Sequence, residues 1–477
     1  MSSFRTVIYM LMLLLVLVVR MLRTTEAHSM IAFSLLIAAL ASLVFLLRHD
    51  PDKTISRIFF RPVHLFLLAY IIVFFQKPLD YISGYRIELI QVPMGDLRDM
   101  PYCVELATIG LLVFFLGYCL LPNDVSQSGH RSVALKAPLN IFKLLTSLTL
   151  MAILIVTPRN VLFGGYSQQF LDQASSFNYL SSWCRVFISG FYVQFACNHH
   201  GTTSLAGSSI WRFIKSQGIW MNANLILYSI IILNLGDRGP LIVLATALYL
   251  TYITVSHRTM PKWVLLLLAV GGISFSSLLG QTKQHRADNS IVERIEKVMA
   301  STDETARTSL FPATEELALS YRCLPYAVES VPDHHPYTYG LLQVSYLLAA
   351  IPFSATIVGS IVALPENSAY MISHFIQGTF IDSGDGSNCV ADFYIDGGLT
   401  MVVIGMFLWG LFCRYFESRL LHWQGGSLVI LCISFYFLIH CIYMPRSIIL
   451  SSFKYAVWLA LMMVLYHSFY RFLLKKA

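Results

Sequence analysis

Charge is what this chain has least of. Only 12% of its 477 residues are Asp, Glu, Lys or Arg, while 56% are hydrophobic. Ordinary soluble domains carry roughly 25% charged residues, so a water-soluble fold is excluded. The centres of the apolar runs lack Asp and Glu, and only Arg185 stands deep within one. Ion-coupled transporters use intramembrane acids as relays, and their scarcity argues against that class. No internal repeat or low-complexity tract is present, which excludes a repeat array. His334 and His335 have no third ligand at a recognisable spacing, so no metal is expected. Residues 382–387 look superficially like a calcium loop but lack its bidentate Glu and ligand alternation, and a Gly-rich turn is the expectation there.

The charge that does exist is +7 net and is spread over short connectors. That is the distribution of a membrane protein holding Lys and Arg at its cytoplasmic face near anionic lipid, and it gives no nucleic-acid signal. Cys119, Cys184, Cys197, Cys413, Cys432 and Cys441 fall in apolar runs as small hydrophobes. Cys323 and Cys389 lie in polar segments and could pair in an oxidising compartment, although free thiols are the expectation. The first apolar run, between Arg5 and Arg20, has no convincing small-residue cleavage site after it and reads as an uncleaved first helix.

Apolar runs occur near 4–20, 29–47, 58–75, 103–121, 138–157, 179–198, 217–235, 239–256 and 262–280, and again near 341–363, 396–413, 427–444 and 451–470. Several reach the roughly 20 residues that cross a bilayer core, where only helices satisfy every backbone amide. The fold class is therefore all-α, a polytopic integral membrane helix bundle. Basic connectors at 48–57, 131–143, 212–215, 258–262, 414–419 and 471–476 are placed in the cytoplasm. The connector at 77–99 is at least as acidic as basic and belongs on the opposite side. Alternation then puts the 236–239 turn and the polar insertion 281–340 together outside. A single crossing by 341–363 would leave the later basic connectors outside, so this segment is read as a re-entrant hairpin broken at Pro352. The expectation is about 12 spanning helices with both termini cytoplasmic. Residues 1–280 form an N-terminal bundle of about nine helices. A periplasmic loop follows at 281–340, then a re-entrant and periplasmic segment at 341–395, then C-terminal helices at 396–477.

The polar insertion organises the rest. Ser290 and Glu293 make a capping-box pattern ahead of an amphipathic helix. Gly236-Asp237-Arg238-Gly239-Pro240 pins an arginine between two helix ends. Arg286 follows the next apolar run and can meet Arg238 at the same surface. Two guanidinium groups there would form an anion clamp suited to phosphate. His334-His335-Pro336-Tyr337-Thr338-Tyr339-Gly340 leads back to the membrane. Its imidazoles suit proton transfer from a hydroxyl, and its tyrosines offer faces for sugar rings. Arg322 within the insertion and Tyr394 beyond it complete the candidate binding residues.

The Gly-Asp-Arg-Gly turn, Arg286, the Glu315-Glu316 region, the 334–340 exit leading to Ile351-Pro352, and the Cys-Val-Ala-Asp-Phe-Tyr-Ile-Asp-Gly-Gly stretch at 389–398 come in that order. Over roughly 217–415 this resembles the Wzy family of O-antigen repeat-unit polymerases. The paired Arg-x10-Gly loops described for some members are absent, since Tyr249 and Lys297 stand where those glycines would fall.

The resemblance implies a glycosyltransferase of the bacterial inner membrane. It would polymerise undecaprenyl-pyrophosphate-linked oligosaccharide units, donor and acceptor both lipid-linked, on the periplasmic face. A chain-length regulator (a polysaccharide co-polymerase) is the implied protein partner, with membrane lipid and without nucleic acid or cofactor. Arg238 and Arg286 would grip the pyrophosphate, with His335, Glu316 or Asp237 taking the acceptor proton. His334, Tyr337, Tyr339, Arg322 and Tyr394 would bind substrate. An O-antigen ligase using the same donor is the nearest alternative, and a lipid-linked oligosaccharide flippase the alternative without chemistry.

Overall fold

The computed structural model describes residues 2–22, 26–47, 61–85, 87, 94–121, 136–157, 168–199, 205–235, 239–256, 272, 309–351, 354–359, 363–379, 381, 384–421 and 427–476. All regular structure among these residues is helical. The longer elements are α1 Ser2–Leu22, α2 Ala27–Leu46, α3 Pro62–Ile82, α4 Met100–Leu120, α5 Asn140–Val156, α6 Gln168–His199, α7 Ile210–Ser216, α8 Ile219–Leu235 and α9 Gly239–Ser256. They continue with α10 Cys323–Ser330, α11 Leu341–Leu348, α12 Ser354–Gly359, α13 Ser368–Gln377, α14 Cys389–Leu421, α15 Leu428–Ile439 and α16 Phe453–Lys476.

Seven of the described helices are long and apolar enough to cross a membrane, or up to eight if α7 and α8, bent by 101°, make one span. The sequence-based figure of about 12 spans also counts shorter apolar helices and the 262–280 run. That run lies outside the described residues, as does the helix expected after Ser290. Residues 341–363 do not form one straight helix. They hold α11 of 8 residues and α12 of 6, neither long enough to cross alone.

The bundle is built on α4 and α14. Every residue of α4 from Cys103 to Cys119 is buried. Glycines set its crossing with α14. A Cβ on Gly117 would lie 2.2 Å from the Phe407 carbonyl oxygen, and one on Gly410 would lie 2.2 Å from that of Phe114. Two glycines thus let backbone rest on backbone, which is how helices without a hydrophobic driving force between them pack in lipid.

Side-chain contacts distinguish the two ends. At one end, here the upper, the C-terminus of α3 and the N-terminus of α4 meet residues 309–330 and the start of α14. Arg20, in the last turn of α1, reaches Glu105 there, and Trp458, near the start of α16, donates to Ala350. Both terminal helices therefore have their outer chain ends at the lower side.

The lower end buries a charged group of its own. Arg61 Nε lies 4.0 Å from Glu417 Oε1, Tyr118 donates to the same carboxylate, and Arg414 donates to Tyr118 at 3.4 Å. Arg414 is not a loop residue as the basic connector suggested. It lies inside α14 and is 2% exposed. The cysteines expected to be free are all free and buried, Cys323 and Cys389 included.

Candidate active site

The site is centred on a fault in α14. At Gly397 (φ 177°, ψ 36°) and Gly398 (φ 62°, ψ −150°) the backbone leaves helical geometry. Gly398 has a left-handed φ that favours glycine, and a Cβ there would lie 2.9 Å from the Tyr337 hydroxyl. A break of this kind strands carbonyls that the next turn would have satisfied. Here Thr338 N–H donates to the Ile395 carbonyl at 3.3 Å.

The neighbouring side chain takes up more of the same segment. Asp396 Oδ1 accepts from Thr338 Oγ1 at 2.5 Å, from Gly340 N–H at 2.8 Å and from Leu342 N–H at 3.3 Å. These amides open α11, so this one oxygen satisfies donors that the helix itself leaves unpaired. One turn earlier, Asp392 accepts from Ser368 Oγ at 2.6 Å, Tyr346 Oη at 3.0 Å and Gln343 Nε2 at 3.0 Å. Both carboxylates have no solvent exposure.

Residues 334–340 therefore form an arm held against the break. His334 and His335 are exposed, with both backbone amides donating to the Ser330 carbonyl. The His335 ring stacks on Phe375 of α13 at 5.0 Å. Tyr339 is 79% exposed and adopts φ 50°, an uncommon conformation for a bulky residue. Tyr337 meets Tyr339 at 6.1 Å and Tyr394 at 6.2 Å, and Tyr394 meets Tyr102 at 6.3 Å. The Arg20 guanidinium lies 4.9 Å over the Tyr102 ring. The expected tyrosines are thus brought into one row, with Tyr394 as its buried link.

The other expected residues are more dispersed. Arg322 is ion-paired with Asp385, whose other oxygen accepts from Gln377 at 2.5 Å. Asp385 N–H also donates to Ser373 Oγ at 2.9 Å, so Arg322 has a structural partner that the sequence did not indicate. Glu316 lies in the short helical turn Glu315–Ala318 against α3. Asp237, Arg238 and Arg286 lie outside the described residues. The described flanks of Asp237 and Arg238 can be placed, because Asn224 at the lower part of α8 donates to the Lys143 carbonyl and Gly207 N–H donates to the Ser256 carbonyl at the foot of α9. Leu235 and Gly239 consequently face the upper end.

Sequence reasoning did not assign Asp392 or Asp396 a role, although their four-residue spacing before a double glycine signals one helix face at a break. It also missed Arg446, in the short helix Met444–Arg446 at the upper end. Its guanidinium lies 5.5 Å over the Tyr443 ring, and its buried Nε has no hydrogen-bond partner.

These features define a class: a polytopic helical membrane protein with an aromatic and histidine-bearing arm fixed at one end of its bundle. The family profile for O-antigen polysaccharide polymerase Wzy matches residues 6–477, nearly the whole chain, and the chain belongs to that family. It is a membrane O-antigen polymerase of lipopolysaccharide biosynthesis, and its substrates are lipid-linked oligosaccharides. No curated protein and no solved structure matches it.

Proposed function

We propose that the chain joins undecaprenyl-pyrophosphate-linked repeat units at the periplasmic face of the inner membrane, with the upper end as that face and both termini in the cytoplasm. In this reading Arg238 and Arg286 grip the donor pyrophosphate and offset the charge that develops as it leaves. The acceptor hydroxyl attacks the anomeric carbon of the donor sugar while the bond to the pyrophosphate breaks. His335 takes the hydroxyl proton, with Glu316 or Asp237 as the alternative base. His334, Tyr337 and Tyr339 hold sugars, and Arg322 and Tyr394 support that surface. The 341–363 segment dips into the membrane beside the reaction, and a chain-length regulator docks on the assembled enzyme.

The observation that carries the reading is the arm itself. Exposed imidazole and phenol groups rarely need rigid support for packing alone, yet this arm is tied to the central helix of the bundle through Ile395 and Asp396. The test is a deletion strain complemented with His335→Ala, Arg238→Ala or Arg286→Ala, reading lipopolysaccharide ladders. Each variant is expected to leave single repeats on lipid A core. Ladders of normal length from all three would overturn the site assignment. Complete absence of attached repeats in the deletion would point instead to a ligase, and repeat units trapped on the cytoplasmic side would point to a flippase.

A further inference from the structure

The hydrogen bonds around Asp396 are one-sided. Its Oδ1 accepts all of the donors from Thr338, Gly340 and Leu342. Its Oδ2 is buried with no hydrogen-bond partner. A group built to remove a proton from a substrate would direct an oxygen at that substrate, whereas Asp396 is fully buried and directs its bonded oxygen at backbone and a threonine. The break behind it serves the same segment. Thr338 N–H takes the Ile395 carbonyl, and the Tyr337 ring occupies the space that a side chain on Gly398 would fill. Asp392 repeats the arrangement one turn earlier by gripping Gln343 and Tyr346 of α11.

We infer that Asp396, with the Gly397–Gly398 break, is a socket that sets the position of the 334–340 arm, and that Asp396 is a positioning residue for polymerisation. The inference rests on the reading of the arm as the segment that holds substrate. What the socket needs from residue 396 is an acceptor oxygen, not a negative charge or a mobile proton. Asparagine supplies that oxygen in the same shape, and its amide falls where Oδ2 has no partner. Alanine supplies nothing, leaves Gly340 and Leu342 amides unsatisfied, and lets the arm drift. Misplacing a group by about 1 Å can cost on the order of a hundredfold in rate.

The experiment compares Asp396→Asn, Asp396→Ala and His335→Ala in the deletion strain, each normalised to its amount in the membrane. The ratio of polymerised to single-repeat lipopolysaccharide is the readout. Asp396→Asn is expected to stay within about threefold of the parent and Asp396→Ala to fall by about tenfold or more. An Asn variant as inactive as the Ala variant would overturn the positioning role, because charge or proton transfer would then be required. Full ladders from Asp396→Ala with ladders lost in His335→Ala would overturn the socket and leave the functional reading standing. Full ladders from His335→Ala would instead sink the reading of the arm. Should Asp396→Ala fail to accumulate, Thr338→Val decides. It deletes one of the donors, and a partial fall supports the socket while an unchanged ladder overturns it.

Discussion

The ammonium of Lys77 lies 2.7 Å from the carboxylate of Glu315, which is 238 positions further along the chain. Asp80 flanks the same ammonium at 3.5 Å and also accepts from Ser309 Oγ at 2.7 Å and Leu310 N–H at 2.8 Å. Gln76 adds a bond to the Phe311 carbonyl at 2.9 Å. The last turns of α3 thus hold residues 309–315 within the polar insertion, and they fix where the segment leading to the arm begins.

Removing the cation from this group should be costly. Lys77 has no exposure, so Lys77→Ala would leave Glu315 and Asp80 as buried carboxylates without their partner. Breaking one side of such a pair costs about 3–5 kcal/mol. Glu315→Gln keeps an acceptor and should cost about 1 kcal/mol. Unfolding of the purified protein in mixed micelles measures both. Equal stability of the two variants would show that the ammonium has no structural part.

Thiol chemistry offers a second check. All nine cysteines are free and buried. Burial, ahead of the opposing pull of Arg322, pushes the Cys323 thiol up to about 12. A thiol whose proton is held more tightly when folded contributes fully below its unfolded value. That contribution is lost as pH rises from there through the folded value, because the unfolded chain ionises first. Native protein should therefore resist a water-soluble maleimide at neutral pH and react after denaturation. Its stability should fall as pH climbs from near 9 towards 12. A Cys323→Ser variant should have a shallower fall, and rapid native labelling at Cys323 would contradict its burial.

Tyr339 sets stability against activity. Its φ of 50° is strained for a tyrosine, and the ring is 79% exposed, so little packing offsets the strain. Asparagine tolerates that conformation, and Tyr339→Asn should raise stability by about 1 kcal/mol while lowering polymerisation. Thermal melts and lipopolysaccharide ladders read the two effects. A variant that is less stable and fully active would remove the reason for assigning the ring to substrate.

The helices were legible because lipid leaves so few choices. An apolar run such as 103–121 or 239–256 has one way to satisfy its amides, and both are helices here. The parity of the later basic connectors, with Pro352, marked 341–363 as something other than a straight span. The site was legible only in part. The histidines and tyrosines of 334–339 stand out by residue type; the rings of Tyr337 and Tyr339 do meet, while His335 stacks on Phe375. What supports them does not stand out. Asp392 and Asp396 sit 49 and 56 positions from Gln343 and Gly340, and no local pattern announces a contact across that separation. Arg322 was read as a substrate-binding residue with no partner named, because Asp385 is 63 positions away. Arg446 follows a proline in a tight turn after an apolar helix, and nothing in that local pattern singled it out.

The crossing of α4 and α14 bears on how a growing polymer can be handled. With a carbonyl oxygen facing each of Gly117 and Gly410 where a side chain would otherwise stand, neither helix can slide or roll without driving oxygen into backbone. The central pair behaves as a keel. Rearrangements needed to admit a new unit and hand on a longer one must then fall to the outlying helices, while this axis and the arm tied to it at Ile395 and Asp396 stay still.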